Sequence, residues 1–455
     1  MRPPLPPDWI RCTLDDIKAS RDAAIVGGPF GSKLGRADYR DAGVPVIRGC
    51  NLGNAEQRFV TEGLVFVSPE KARSLARNTA RAGDVLFTQR GTLEQVGLLP
   101  RGLPWRRFVL SQSQMKLTCD RSRADPVFIY YQCRAPRVRD YVRRNTIATG
   151  VPHINLGILR RTPILLPPLR EQRAIAELLT TIDKRIELSR RMNETLDETA
   201  RAIYRAWFVD FQPVHANAHG QRHASVDASA AALFPDAFDD IDGRRVPKGW
   251  GLRNMRECAK LRNGATFTSR DFVGLKAKSR ANALPVIKIA ELKRGVTAKT
   301  RYSVHGHRGK LAIDTGDVLF AWSGTPDKSI GTHLWSGGPA WLNQHIYKVE
   351  PHTPAERALV YCQLRELQAT FVSIARDHQT VGLGHVGKKD LERVLTVKPP
   401  RRLIERFHQQ VGPLIDRMIL NSLTARELAS LREKLLAPLM TGDLRIEQAV
   451  ALVKP

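Results

Sequence analysis

Residues Thr149 to Pro168, TGVPHINLGILRRTPILLPP, lie over Val381 to Pro400, VGLGHVGKKDLERVLTVKPP, without a gap. His153 falls on His385, Leu159 on Leu391 and Pro167-Pro168 on Pro399-Pro400, at a constant offset of 232. More of the chain pairs in the same way. RAGDVLFTQRGT (Arg81 to Thr92) matches DTGDVLFAWSGT (Asp314 to Thr325), VLSQSQMKL (Val109 to Leu117) matches WLNQHIYKV (Trp341 to Val349), and LPPDW (Leu5 to Trp9) matches VPKGW (Val246 to Trp250). A period above 200 residues is far longer than that of a stacked array. The sequence therefore folds as a tandem duplication of one unit.

Each unit begins with short β-branched runs such as VPVIRG and GDVLFT, bounded by Gly, Pro, Asn and Asp, which read as strands and turns. After each Pro-Pro comes a long helical pattern. The first is free of Gly and Pro from Leu169 to Asp210; the second, Arg401 to Leu436, is interrupted at Gly412-Pro413. The expected order is an α/β domain (1–165), a helical region (166–211), a linker with one short helix (212–245), a second α/β domain (246–398), a second helical region (399–446) and a tail (447–455). The fold class is α+β.

The helical patterns carry two seams each. In the first, Ile175, Ile182, Ser189, Leu196 and Ile203 repeat every seven residues, beside Leu179, Ile186, Asn193, Ala200 and Trp207. In the second, Phe407, Leu414, Asn421, Leu428 and Leu435 run beside Ile404, Val411, Met418, Ala425 and Arg432. Each stripe can pack on its own globule alone, or the two can bury each other as an antiparallel two-helix coiled coil, which the matched placement in a duplicated chain favours. A rod of about 37 residues at roughly 1.5 Å per residue is about 55 Å long, enough to hold two globules apart. A polar residue in each seam, Asn193 and Asn421, commonly fixes register, which places the two within a turn or two of each other. An exposed flank for both is the other reading.

With 72 Lys and Arg against 45 Asp and Glu, the formal charge is +27, a field that attracts polyanions and above all nucleic acid. No stretch approaches the roughly 18 uninterrupted apolar residues of a membrane span. The start, MRPPLPPDW, lacks the apolar core of a secretory signal, so the expected location is cytoplasmic. The six cysteines show neither zinc-ligand spacing nor a disulfide framework.

Catalytic motifs are weak. VGLGHVGKKD (Val381 to Asp390) approaches a phosphate-binding loop, but Lys389 stands where a Mg²⁺-ligating hydroxyl is needed, and the sister stretch has no Gly-Lys pair. DPVF (Asp125 to Phe128) has Val127 where an amino-methyltransferase motif has its second proline. FPDAFDD is the nearest thing to a nuclease-type acidic cluster, without a lysine partner. No metal site is expected. The loops instead suit DNA: Thr88, Gln89, Arg90, Gly91 and Thr92; Ser111, Gln112, Ser113 and Gln114; and Thr149, Gly150 and His153 in the first copy. Their counterparts are Trp322, Ser323, Gly324 and Thr325; Asn343 and Gln344; and Gly382, His385 and Lys388. Gln and Asn can pair bidentately with adenine, Arg with guanine, and Gly-Thr turns offer N–H groups to phosphate. A stand-alone nucleic-acid methyltransferase or nuclease with a divergent site, and a sequence-nonspecific basic nucleic-acid adaptor, stay open on these residues.

Ile164 to Val214, ILLPPLREQRAIAELLTTIDKRIELSRRMNETLDETARAIYRAWFVDFQPV, with LREKLLAPLMTGDLRI (Leu431 to Ile446) and the two P-x-x-W starts, closely resemble the specificity subunit of type I restriction-modification systems. The likeness covers essentially the whole chain. One departure stands out: Ile404-Glu405-Arg406 occupy the places of Gln172-Arg173-Ala174. The resemblance implies a non-catalytic DNA-binding subunit in a defence against foreign DNA, with two target-recognition domains that each read half of a split site. It implies that the coiled coil sets the gap and docks two modification (methyltransferase) subunits, with restriction subunits joining through the complex. S-adenosylmethionine, ATP and Mg²⁺ are then expected on those partners and none on this chain.

Overall fold

A computed structural model describes residues 5–53, 57–221, 223, 226–274, 282–304, 312–379 and 382–453; Val381, which opens the Gly-rich stretch, lies outside them. The chain divides into two units, 1–188 with 425–455 and 189–424. Each of the two long helices contributes to both units.

The units repeat the same sheet order. In the first, strands Ile25–Gly27, Gln114–Leu117, Val85–Thr88 and Val96–Leu98 lie side by side, all antiparallel. In the second the order is Ala259–Asn263, Ile346–Pro351, Val318–Ala321 and Gly331–Leu334. A further four-stranded sheet in each unit contains one parallel pair, Val46 opposite Val109 and Val286 opposite Trp341. The run VLF is apolar throughout because both faces of its strand are covered. Val85 and Phe87 join the core that contains the long helices, while Leu86 joins the core beneath the other sheet.

The repeated Gly-Asp before that strand is a scaffold device. Gly83 and Gly316 take φ of +91° and +98°, open to glycine at little cost. Asp84 and Asp317 then accept the N–H of Arg81 and Asp314, each at 2.8 Å. Each carboxylate also meets the lysine of the neighbouring strand: Lys116 at 3.2 Å and Lys348 at 2.8 Å. Burial pushes the Lys116 ammonium below the usual lysine range, and Asp84 opposes that shift.

Each globule closes on itself. Ile10–Thr13 pairs antiparallel with Pro163–Leu166, and Gly251–Asn254 with Leu395–Lys398, so the chain leaves beside where it entered and runs through Pro-Pro into a long helix. The two helix starts are held differently. Trp9 Nε1 donates to Glu171 Oε2 at 3.1 Å, and the Gln172 amide accepts from Asp125 N–H and donates to the Arg123 and Pro167 carbonyls. In the second unit the buried Leu403 and Ile404 take those positions. A polar latch is replaced by an apolar one.

The helices span Leu169–Phe208 and Arg401–Thr441. The second is not interrupted at Gly412-Pro413. Pro413 and Gln409, whose carbonyl loses its N–H partner, are both exposed, so water can satisfy the orphan group. Within the first unit Ile175, Leu179, Ile182 and Ile186 share a core with Leu435, while Leu428 packs at its edge. Within the second, Phe407, Val411 and Met418 are buried and Leu196, Ile203 and Leu414 pack against them. The helices run antiparallel there, since Asn193 meets Asn421 and Trp207 meets Phe407. The sequence seams omit Leu403, Ile415 and Ile419, all buried, because the second helix packs on its globule as well as on its partner and needs a wider stripe.

Asn421 Nδ2 donates to Asn193 Oδ1 at 2.9 Å, and Asn193 Nδ2 donates to the Met418 carbonyl and to Ser422 Oγ. Asn193→Ala leaves the buried Asn421 amide without its acceptor, and a loss of about 1–3 kcal/mol is expected in chemical denaturation of the second unit. A change below the error of that measurement would mean that the pair has no structural weight.

Segment 212–245 is more than a linker with one short helix. It forms helices Gln212–Ala218 and Ala228–Ala231 and a hairpin of Phe238–Ile241 with Arg244–Pro247, and it inserts Val214, Val226 and Phe234 into the core of the second unit. The expected tail is likewise a helix, Ile446–Val453, which seats Ile446 and Ala449 in the core of the first unit. Among the described residues no helix is long and apolar enough to cross a membrane. All six cysteines are free, and burial pushes the thiols of Cys119, Cys133, Cys258 and Cys362 upward.

Candidate nucleic-acid interface

Three loops far apart in sequence meet at one residue in each unit. In the first, Gln89 N–H donates to the Ser113 carbonyl at 2.7 Å, and the Gln89 carbonyl accepts from Ile154 N–H at 3.0 Å. In the second, Trp322 N–H donates to the His345 carbonyl at 3.2 Å, and its carbonyl accepts from Val386 N–H at 2.8 Å. The next residues continue the junction as short antiparallel bridges, Arg90 with His153 and Ser323 with His385. One backbone pattern thus carries different side chains in the two copies.

Arg90, Gly91, Thr92, Gln112, Thr149 and Gly150 are exposed at the first junction, with Ser111, Ser113 and His153 half-buried. At the second, Thr325, Gly382, His385 and Lys388 are exposed, and Ser323, Gly324 and Gln344 are half-buried. Four residues assigned to DNA contact are corrected by their burial. Thr88, Gln89, Gln114 and Asn343 lie beneath the loops, because they end core strands or form the tight turn between them. Beneath the loops Gln114 Oε1 accepts from the half-buried Ser111 hydroxyl. Trp322 is pinned as well: its Nε1 donates to Asn263 Oδ1 at 3.0 Å, and its ring stacks on Tyr347 with centroids 5.6 Å apart. Lys388 opens helix Lys388–Arg393 and faces a separate hollow with Arg256, Lys260 and His352.

The glycines of VGLGHVGKKD have packing reasons. Gly382 has φ of +82°, and a Cβ on Gly384 would stand 1.9 Å from the Ala375 carbonyl oxygen. Gly387 starts a helix whose Asp390 carboxylate accepts its N–H at 2.7 Å.

Sequence reasoning missed a further loop. A Cβ on Gly28 would stand 1.8 Å from the Ser111 carbonyl oxygen, and one on Gly264 would stand 2.1 Å from that of Asn343. The Gln112 amide donates to the Gly31 carbonyl, and Thr266 Oγ1 to Gln344 Oε1. Phe30 is 67% exposed on this loop, with Lys33 exposed beside it. The signal was available as Gly27-Gly28-Pro29, since adjacent glycines before a proline mark a close backbone approach and a turn. Among the described residues no group of three or more His, Cys, Asp or Glu is placed to hold a metal ion.

Comparison with known proteins agrees with this architecture. The type I restriction modification DNA specificity domain model matches residues 65–198 and 247–395. The type I restriction enzyme MjaIX specificity subunit of Methanocaldococcus jannaschii is 21% identical over 450 residues, spanning 98% of this chain and 95% of that protein. The HindI specificity subunit of Haemophilus influenzae is 22% identical over 341 residues, 64% of this chain and 71% of its own. The crystal structure of a type I restriction-modification S subunit from M. genitalium shares the fold, with a TM-score of 0.54 at 14% identity over 95% of this chain and 96% of that one. The family match falls once in each copy and takes in more than half of the sequence, so the chain belongs to the type I restriction-modification DNA-specificity family.

Proposed function

We propose that this chain is the non-catalytic DNA-specificity subunit of a type I restriction-modification complex, each globule reading one half of a bipartite double-stranded site. The observation that carries this reading is the duplicated loop junction. Gln89, Ser113 and Ile154 in one unit and Trp322, His345 and Val386 in the other share one backbone pattern, with unlike side chains presented around it. Two copies of one scaffold with different exposed residues suit two different half-sites. The antiparallel helices act as the strut that sets the spacing, and they dock two modification subunits, with restriction subunits joining through the complex. S-adenosylmethionine belongs to the modification subunits, and ATP with Mg²⁺ to the restriction subunits. The excess of lysine and arginine supplies phosphate contacts, so DNA affinity falls steeply with salt.

Exchanging Arg90–Thr92 for the loop of a relative, while keeping the buried strand Val85–Thr88, tests the assignment. The expected result is a change in one half of the methylated sequence, an unaltered second half, and at least roughly a 10³-fold loss of preference for the original site. A simultaneous change in both halves would remove the two-reader assignment.

A further inference from the structure

At the far end of the first unit's main sheet lies a hollow of about 730 Å³ lined by five cationic side chains against one carboxylate, Asp125. Strand Val85–Thr88 carries the recognition junction at its C-terminal end and Gly83 at the other. Strand Val96–Leu98 runs back toward Arg101, and strand Gln114–Leu117 leads on to Arg121. Arg101 and Arg121 line the hollow from the globule. Arg173 and Lys184 line it from the long helix, eleven positions apart, which is about three turns on one face and about 17 Å along the axis. Between them Arg58 is anchored on Thr180 and Tyr131, each at 2.7 Å, and its charge is partly met by Asp183 at 3.5 Å, which leaves Arg101, Arg121, Arg173 and Lys184 to face the hollow. The carboxylate at the rim, Asp125, is spent on capping the N–H groups of Val127 and Phe128.

The duplication supplies the internal control. In both units an arginine lies over the glycine of the Gly-Asp turn: Arg121 Nη2 is 2.7 Å from where a Cβ on Gly83 would sit, and Arg357 Nη2 is 3.9 Å from the same point on Gly316. In the second unit the helix answers with Asp416, paired to Arg357 at 2.8 Å. The corresponding position in the first unit, offset by 232, is Lys184, and the position of Glu405 is held by Arg173. Where the second unit's helix sets a carboxylate against that arginine, the first unit's helix carries a cation. A cluster of like charges facing one hollow favours an anionic occupant.

We propose that this hollow is a docking site for a carboxylate-rich extended segment of a partner subunit, an inference that rests on reading the chain as one subunit of a complex. A segment of about five residues at roughly 3.3 Å each spans from Arg173 to Lys184. Leu98, Pro126 and Val127 give the hollow an apolar floor, which suits a peptide better than a phosphate backbone. Its place opposite the recognition loops keeps it apart from the DNA that those loops hold.

The test uses the full chain with fluorescein-labelled hexaglutamate, read by anisotropy, and a duplex carrying the chain's own site. The expected result is one peptide per chain, with affinity falling at least about tenfold in Arg173→Glu/Lys184→Glu and less in the milder Arg173→Gln/Lys184→Gln. Affinity should hold within about twofold in Arg11→Glu/Arg77→Glu, which makes the same charge change elsewhere. Site-specific duplex binding should be unchanged in every variant. Equal peptide loss in the control variant, no loss in the hollow variant, or two peptides per chain would overturn the proposal. Parallel loss of duplex binding would make the hollow a nucleic-acid surface instead. A wild-type chain without preference for its own duplex would instead sink the reading as a specificity subunit, whatever the peptide does.

Discussion

Replacing Arg432 by alanine is expected to destabilise the first unit by about 3–5 kcal/mol, the usual consequence of leaving one half of a buried ion pair alone. The Arg432 side chain is 4% exposed and its Nη1 lies 2.8 Å from Asp183 Oδ1. Asp183 also accepts from the Tyr131 hydroxyl and stands 3.5 Å from Arg58, so one carboxylate ties both long helices to the globule. Without Arg432 that carboxylate keeps Arg58 at 3.5 Å, a longer contact than the 2.8 Å pair it loses. Removing both charges, as in Asp183→Leu/Arg432→Met, should restore most of the loss, because well-packed apolar replacements avoid the desolvation cost. Hydrogen exchange in helix Pro126–Arg134 with urea titration reads the effect. A single-variant loss under about 1 kcal/mol, the range of an exposed pair, would show that the pair does not hold the helices. The second unit uses the same chemistry with different parts. Asp197 accepts from the Tyr361 hydroxyl at 2.6 Å and pairs with Arg365 of the globule.

Trp207→Ala is the second large effect, about 3–5 kcal/mol lost from the second unit. Trp207 is fully buried, with ring centroids 5.6 Å from Phe407, 5.2 Å from Phe234 and 5.9 Å from Phe208. It therefore joins both long helices to the segment that follows the first. Its removal leaves a hole that three aromatic side chains cannot close without leaving their own positions. Calorimetry should show the transition of the second unit moving down while that of the first stays; a shift in both would mean that the units do not unfold separately.

The duplication and the paired helices were legible because they follow from periodicity and matched spacing, whereas the meeting of the distant loops was not. Gly-Asp before VLF and Asn in both seams signal backbone and register requirements that act locally or at a fixed repeat. What escaped depends on tertiary surroundings. Gly27-Gly28-Pro29 signals a close backbone approach, but nothing in the sequence names Ser111 as the residue that lies against it. Thr88, Gln89, Gln114 and Asn343 look like DNA-reading residues by type, and only the layering of two sheets puts them underneath. Segment 212–245 reads as a linker by composition, yet Val214, Val226 and Phe234 are enough to seat it in a core. Gly412-Pro413 looks like a break because the rule concerns a lost hydrogen bond, while the exposed face of the helix lets solvent replace it.

The pairing of Ile10–Thr13 with Pro163–Leu166, and of Gly251–Asn254 with Leu395–Lys398, gives each reader adjoining ends. Such a reader is a cassette with a single doorway. A crossover between related genes at that doorway and its Pro-Pro threshold would deliver a new half-specificity to an old chassis, with the helices, their buried aspartates and their asparagine lock left as they were.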